Sequence, residues 1–348
     1  MGRVVLVTGV SRDLGGRFAR RIASDAEVDR VVGVDVAPPR ASLGDVDFVR
    51  ADIRNPVIAK VIAGQDVDTV VHLSVRPAGA GSRSGEAPSS ASAKEHNVIG
   101  TMQLLAACQR AGGVQRLVVS SSSAVYGSTS RDPAMFTEDM GAKRLPRSGF
   151  AKDVLEVEGY VRGFARRRPD VTVTMLRTAS AVGPTVDSPL TDYFRLPVVP
   201  TVLGYDARLQ FLHETDLLAV LHHASLGGVH GTFNVAGDGV LMLSQAVRRL
   251  GRPTVALPGF AMQAAGTLSR QARLRQIDRE LTGLLTFGRG LDTARMREVL
   301  GFWPRYTTAS AFADFAGSVQ AGPLPSPSAA VAGATAPVSV GATGGEHG

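Results

Sequence analysis

Lysine is scarce in this chain and cysteine almost absent. Of 38 basic residues only Lys60, Lys94, Lys143 and Lys152 are lysine, and Cys108 is the single thiol. One cysteine excludes an internal disulfide. Its place in the apolar helical stretch 102–111 predicts a packed thiol rather than a reactive one. That usage fits a reducing, cytoplasmic setting. No apolar run reaches the ~20 residues of a membrane-spanning helix, so no membrane partner is expected. The apolar run at the start is itself the first predicted strand, which argues against a signal peptide. No Cys/His/Asp group has metal-ligand spacing, so no metal is expected. His222 and His223 are adjacent and point different ways.

Charge of one sign dominates, at +7 net with an isoelectric point near 10. The arginines that carry it are scattered, which argues against a nucleic-acid partner. The densest group, Arg162 with Arg166-Arg167-Arg168, falls at the end of a predicted helix, where cations complement the helix dipole. A patch for an acidic partner is the alternative there. Arg195, Arg208 and Arg273 are candidates for a diphosphate, against ordinary surface placement.

What is present is a 348-residue chain with 44% hydrophobic content, enough for a large core. Strands are predicted at 3–8, 30–35, 46–50, 68–74, 115–121 and 171–177, with helical patterns between them. Alternating strands and helices predict an α/β fold with a doubly wound parallel sheet covered on both faces. A dinucleotide-binding domain is expected over 1–182, with some later segments returning to it. A smaller substrate-binding subdomain is expected over 183–319. The stretch 77–92 is rich in Gly, Ser, Ala and Pro and reads as an exposed loop, either a flap over the crevice or a bland insertion. Residues 320–348, nearly free of charge, read as a disordered tail.

The first strand runs directly into Gly9-Val10-Ser11-Arg12-Asp13-Leu14-Gly15-Gly16 and then into a helical pattern. Strand, glycine turn and helix in that order can hold a pyrophosphate on backbone N–H groups and the helix dipole. The second strand ends in Asp35, 20 positions after Gly15, where a carboxylate can accept hydrogen bonds from an adenosine ribose. A carboxylate there repels a 2′-phosphate, so NAD is the expected cofactor. Arg12 stands where a glycine is usual. It either meets the cofactor phosphates, which would also admit NADP, or points outward from the turn.

In these motifs the chain resembles the extended short-chain dehydrogenase/reductases, the NAD-dependent epimerase/dehydratase family, over roughly residues 3–317. The turn matches that family's TGxxGxxG except at Arg12. Asp52-Ile53 resembles its adenine-clasping pair, and Leu73-Ser74 follows its strand-four histidine, His72. Asn97-Val98-Ile99-Gly100-Thr101 matches its NVxGT helix, and Ser120-Ser121-Ser122-Ser123-Ala124-Val125-Tyr126-Gly127 nearly matches SSSxVYG. Gly183-Pro184, His213-Glu214-Thr215-Asp216, Phe233-Asn234-Val235 and Leu300-Gly301-Phe302-Trp303-Pro304 match later landmarks. The resemblance implies cofactor contacts from Gly9, Ser11, Arg12, Asp13, Leu14, Gly15, Asp35, Asp52, Ile53, Leu73, Ser74, Asn97, Ser120 and Lys152. It also implies a small-molecule substrate of the nucleotide-sugar kind, an active-site hydroxyl at Ser122 and a homodimer. The bland readings make His72 a packed strand histidine and His213 a loop tie.

The family's base is a tyrosine four residues before a lysine, which places both on one helix face. Lys152 matches that lysine, but the tyrosine position is Ser148. Serine is a poor base without a helper. Ser148 leaves room for a substrate group or water while Ser122 or another residue carries the chemistry; or the protein binds the dinucleotide without turnover, as a regulatory or scaffold module; or another tyrosine reaches the site. Tyr126 belongs to the VYG motif, and Tyr160 lies about two turns, ~12 Å, beyond Lys152.

Overall fold

The computed structural model describes residues 2–77, 90–146, 148–262 and 278–321. All six predicted strands form: β1 (Arg3–Thr8), β2 (Val28–Asp35), β3 (Val46–Arg50), β4 (Thr69–His72), β5 (Arg116–Ser122) and β6 (Thr172–Thr178). A seventh, β7 (Gly231–Val235), joins beside β6 and was signalled only by the Phe233-Asn234-Val235 landmark. The sheet is parallel throughout, in the order β7-β6-β5-β4-β1-β2-β3. The order reverses between β1 and β4. A crevice therefore opens at their C-terminal ends, where such sheets bind ligands.

The strands read as near-continuous apolar runs because both faces are covered. Alternate side chains feed two cores. Leu6, Val32, Val70 and Leu117 pack with Ile58, Leu104 and Phe164, from α2 (Val57–Gly64), α3 (Gly100–Arg110) and α4 (Phe150–Arg167). Val5, Val7, Val31, Val71 and Val118 pack on the other face with Phe18 and Ile22 of α1 (Asp13–Ala23) and Leu221 of α5 (Glu214–Gly227). A third core draws on residues after 182. Phe194 meets Phe211, Phe312 and Phe315 edge-on there. Segments after 182 thus divide: α5, β7 and Leu291, Met296, Leu300 and Phe302 join the large sheet's layers, while residues from 190–211, 241–250, 281–285 and 311–316 supply the third core.

Two expectations shift at their edges. Helix continues from Ser90, so the predicted loop 77–92 ends earlier than expected, and its residues 78–89 lie outside the described ones. The last helix described, α7 (Thr308–Ala321), includes residues 320 and 321 because its apolar face, with Phe312 and Phe315, closes the third core. Residues 322–348 and Arg273 lie outside the described residues. Among the described residues no helix is long and apolar enough to cross a membrane.

Within the arginine group at the end of α4, Arg168 acts as a clamp, while Arg162, Arg166 and Arg167 are exposed. Arg168 donates to the carbonyls of Cys108 and Val114 and pairs with Asp170. Cys108 is fully buried, and burial pushes its thiol up to about 12, as expected of a packed side chain. His222 meets Asp25 while His223 meets the Leu300 carbonyl, so the two histidines do face different elements. Among the described residues no cluster has the makings of a metal site.

His72 ties β1 to β4 and α3. Its Nδ1 lies 2.8 Å from Thr8 Oγ1 and its Nε2 lies 2.9 Å from Thr101 Oγ1. Thr101 gives its one proton to the Asn97 carbonyl, so Nε2 carries the hydrogen and Nδ1 accepts. Burial lowers the His72 pKa from 6.5 to about 3. An unfolded chain therefore binds a proton here between those values that the folded chain refuses. The residue's contribution is intact above pH 6.5 and falls as pH drops toward 3, by up to about 1.4 kcal/mol per pH unit. His72→Gln should flatten the loss of urea stability between pH 7 and pH 4. His96, held neutral to about pH 4 chiefly by burial, and Glu158, held below its ordinary value despite burial by Arg177, contribute to what remains.

Candidate active site

The glycine turn is built on backbone contact. Gly9 sits at φ +84°, and a Cβ there would stand 3.2 Å from the Leu73 carbonyl and 3.3 Å from the Ser74 nitrogen. A Cβ on Gly15 would lie 2.1 Å from the Gly9 carbonyl oxygen. Leu73 and Ser74, both buried, therefore wall the turn with their backbone. Asp13 and Leu14 open α1, and Asp13 also accepts from Arg17 and Thr185. This cradle fits a dinucleotide: the space against the turn is kept free of side chains at the two positions where a Cβ would fill it.

Ser11 and Asp35 close the adenosine side. Asp35 accepts from the Ser11 amide at 3.0 Å and from the Val36 amide at 2.7 Å, and Ser11 Oγ donates to the Ala37 carbonyl. Arg12 is half-buried and feels both Asp35 and Arg76. Burial, then Arg76, lower its pKa to about 10 against the pull of Asp35. Arg76 Nε is likewise buried, with no hydrogen-bond partner among the described residues. Two guanidinium groups thus lie within electrostatic reach of each other beside Asp35.

Asp52 is gripped by Arg54, whose Nη2 stands 2.6 Å away. Ile53 presses on α3 where a Cβ on Gly100 would be 2.8 Å from it. The helix into α3 runs through a π-helical turn, Glu95–Ile99, a form common at functional sites. Asn97 in that turn is buried. It accepts from the Arg76 amide and donates to the Arg76 carbonyl and to Asp153 Oδ2, fixing the loop after β4 against α4.

The four serines divide. Ser120 and Ser122 share one face of β5 and are half-buried. Ser121 faces the other way and donates to Glu158 Oε1 at 2.7 Å. Ser122 Oγ accepts from the Ala124 amide, which leaves its proton to donate. Behind them Glu158, fully buried, takes two hydrogen bonds from Arg177, at 2.9 and 2.8 Å. Burial alone would raise its pKa, but Arg177, with Ser121 and Arg162, brings it below the ordinary value. Arg177 also donates to Tyr126 Oη, which donates to Asn234 Oδ1 at 2.7 Å.

Lys152 is near the surface and shares Glu156 with Lys94, each at 3.8 Å. Ser148 is exposed just before Gly149, which precedes α4 at φ +80°. The substituting-tyrosine explanation fails. Tyr126 is locked in the buried network and burial raises its pKa. Tyr193 donates to the Pro200 carbonyl, Tyr205 lies against Phe287, Tyr306 stacks on His213, and Tyr160 is exposed two turns along α4. His213 is a structural tie: it caps α5 through the Thr215 amide and meets Asp314 at 3.0 Å.

Sequence reasoning missed three groups at the site. Glu280, in α6 (Arg279–Phe287), accepts from the Ala151 amide at the start of α4. Arg289, just after α6, binds the Gly127 carbonyl and the Ser123 and Ser128 hydroxyls. Glu214 seats on Gly183, where a Cβ would meet it at 2.6 Å. Only Glu214 lay in a recognisable motif. Arg195 is spent on Asp187, Asp192 and the Val186 carbonyl.

The pattern that defines the NAD dependent epimerase/dehydratase family matches residues 5–236. The chain belongs to this family. An uncharacterized protein of Mycobacterium tuberculosis is 50% identical to this family member over 317 residues, 90% of this chain and 83% of its own length. D-erythronate dehydrogenase of Cupriavidus necator is 25% identical over 319 residues, 86% of this chain and 89% of its own. Among solved structures, MoeE5 in complex with UDP-glucuronic acid and NAD superposes with a TM-score of 0.69 at 22% identity, covering 92% of this chain and 99% of that one. UDP-glucuronic acid 4-epimerase from Bacillus cereus, in complex with UDP-glucuronic acid and NAD, gives 0.67 at 17% identity, covering 91% and 99%. Those likenesses establish the shared fold. NAD, the cofactor expected from Asp35, is the one that names this epimerase/dehydratase family.

The cradle has a direct test. Gly15→Ala should cost about 1–3 kcal/mol of stability through the forced backbone shift and weaken NADH binding, read by fluorescence titration. Gly64, with nothing within 4 Å of its Cβ position, is the control. Gly64→Ala should be neutral or stabilising by about 0.5–1 kcal/mol and leave NADH binding intact.

Proposed function

We propose that this protein uses bound NAD to oxidise, and in the reverse direction reduce, a hydroxyl-bearing carbon of a nucleotide-sugar-like substrate. The reading is carried by one juxtaposition: a dinucleotide cradle at Gly9, Gly15 and Asp35 beside a half-buried Ser122 whose hydroxyl proton is free to donate. When bound, NAD supplies the hydride acceptor. The turn's backbone amides with Arg12 and Arg76 would hold its phosphates, Asp35 its ribose, and Asp52 with Ile53 its adenine. Lys152 would meet the nicotinamide ribose. Ser122 would hydrogen-bond the substrate oxygen and stabilise the charge that develops there.

The nucleotide-sugar class is supported by family membership and by the fold shared with UDP-sugar proteins. D-erythronate dehydrogenase adds a polyhydroxy acid to the panel worth testing.

The test is turnover of UDP-glucose, UDP-glucuronic acid and D-erythronate with NAD, followed by NADH absorbance and by product chromatography. Ser122→Ala should lower kcat by roughly 10²–10³-fold, the loss seen when one oxyanion donor is removed. Lys152→Ala should weaken NADH binding as well. NADH binding with no turnover of any of the three would sink the enzymatic reading and leave a dinucleotide-binding module.

A further inference from the structure

The family's tyrosine position is vacated by Ser148, and a carboxylate from a distant part of the chain stands at the same helix end. Glu280 Oε2 accepts from the Ala151 amide at 3.1 Å and lies 3.6 Å from the Cβ position of Gly149, the neighbour of Ser148. Helix α6 also leans on the turn that follows Ser122. A Cβ on Gly283 would be 3.2 Å from the Ser128 carbonyl, and Arg289 donates to the Gly127 carbonyl at 2.8 Å and Ser123 Oγ at 3.3 Å. Glu280 therefore touches the helix end that bears Ser148 and Lys152, and its own helix packs on the turn 123–128 that follows Ser122.

The other ionisable groups nearby are engaged. Asp153 accepts from Asn97, and Lys152 pairs with Glu156. Glu280 Oε1 makes no hydrogen bond to a described residue, while Oε2 makes the one to Ala151.

We propose that Glu280 is the acid/base residue of this site, standing in for the absent tyrosine. The inference rests on the oxidoreductase reading above. In the oxidation direction the carboxylate takes the O–H proton of the substrate alcohol. The C–H hydrogen leaves with its electron pair to the nicotinamide ring of NAD, and the C–O bond becomes a carbonyl. Glu280 ends protonated and NAD ends reduced; reduction reverses both transfers.

A carboxylate that served only as a helix cap would be held ionised by the amide and the dipole. Here burial raises the Glu280 pKa, and Asp278 and Asp153 push the same way, against Arg289 and the Ala151 amide. That moves the group toward the range in which it can exchange a proton near neutral pH.

Glu280→Gln keeps the length and the acceptor for Ala151, so it separates capping from proton transfer. With NAD and the three probe substrates named above, the variant should lose roughly 10²–10⁴-fold in kcat, the usual worth of a positioned acid/base. Its thermal midpoint and NADH affinity should match the parent, and the acid limb of the kcat–pH profile should disappear. Independently of turnover, the ¹³C carboxyl signal absent from Glu280→Gln should titrate above the ordinary glutamate value of 4.5. A variant that keeps its rate and acid limb, or a signal titrating at or below 4.5, overturns the proposal while the oxidoreductase reading survives. A parent protein that binds NADH but turns over none of the probes overturns both.

Discussion

The space between Gly15 and the Gly9 carbonyl, too small for a single methyl group, sets the geometry from which the rest of the site hangs. It brings α1 onto the end of β1 at backbone distance. The positive φ of Gly9 turns the chain against Leu73 and Ser74, so β1, β4 and α1 share one wall. The same constraint explains why the second glycine position of the turn, Arg12, departs from the family without harm to the fold. Arg12 sits at φ −95°, ψ 153° as the residue preceding α1, an extended conformation open to any side chain. Glycine is required at two points of this turn by sterics. At Arg12 the choice is about charge, and a desolvated guanidinium beside Asp35 and Arg76 changes the field at the phosphate end.

The other side of the crevice is held by a buried polar chain. Glu158 and Arg177 form an ion pair beneath β5, and Tyr126 and Asn234 extend it to β7. A pair of this kind adds little against an apolar replacement, but losing one partner costs about 3–5 kcal/mol because a charge is left buried alone. Its value here is positional. Ser121 is pinned to Glu158, so Ser120 and Ser122, one residue to either side, are turned toward the crevice by strand alternation. Tyr126 serves this lattice, which is why a tyrosine so near the serines has no part in the proton chemistry.

Much of the fold was legible because a doubly covered parallel sheet writes itself as short apolar runs, and β1 to β6 are such runs. The strand β7 was not, since Gly231, Thr232 and Asn234 dilute its apolar character and its burial comes from contacts made elsewhere. The cofactor end was legible for a local reason: turn, acid and helix lie within 35 residues, and backbone sterics dictate residue type at fixed offsets. The proton-handling end was not. Glu280 is 132 positions from Ser148, in a segment without periodic pattern, and its proximity exists only once α6 packs on the VYG turn. The motifs 183–184 and 213–216 were visible as landmarks, but their reason was hidden: Gly183 makes room for Glu214, and Asp216 holds the Arg305 and Tyr306 amides.

The exchange of tyrosine for serine also changes what keeps the site aligned. A tyrosine and a lysine four apart on one helix are positioned by helix geometry alone, so their spacing survives any adjustment of the surrounding structure. A carboxylate arriving from α6 is positioned by tertiary packing. It depends on Arg289 gripping three groups of the 123–128 turn and on Gly283 allowing α6 to lie against Ser128. Acid/base competence is then coupled to the docking of that part of the chain, where it would otherwise be a local property of α4.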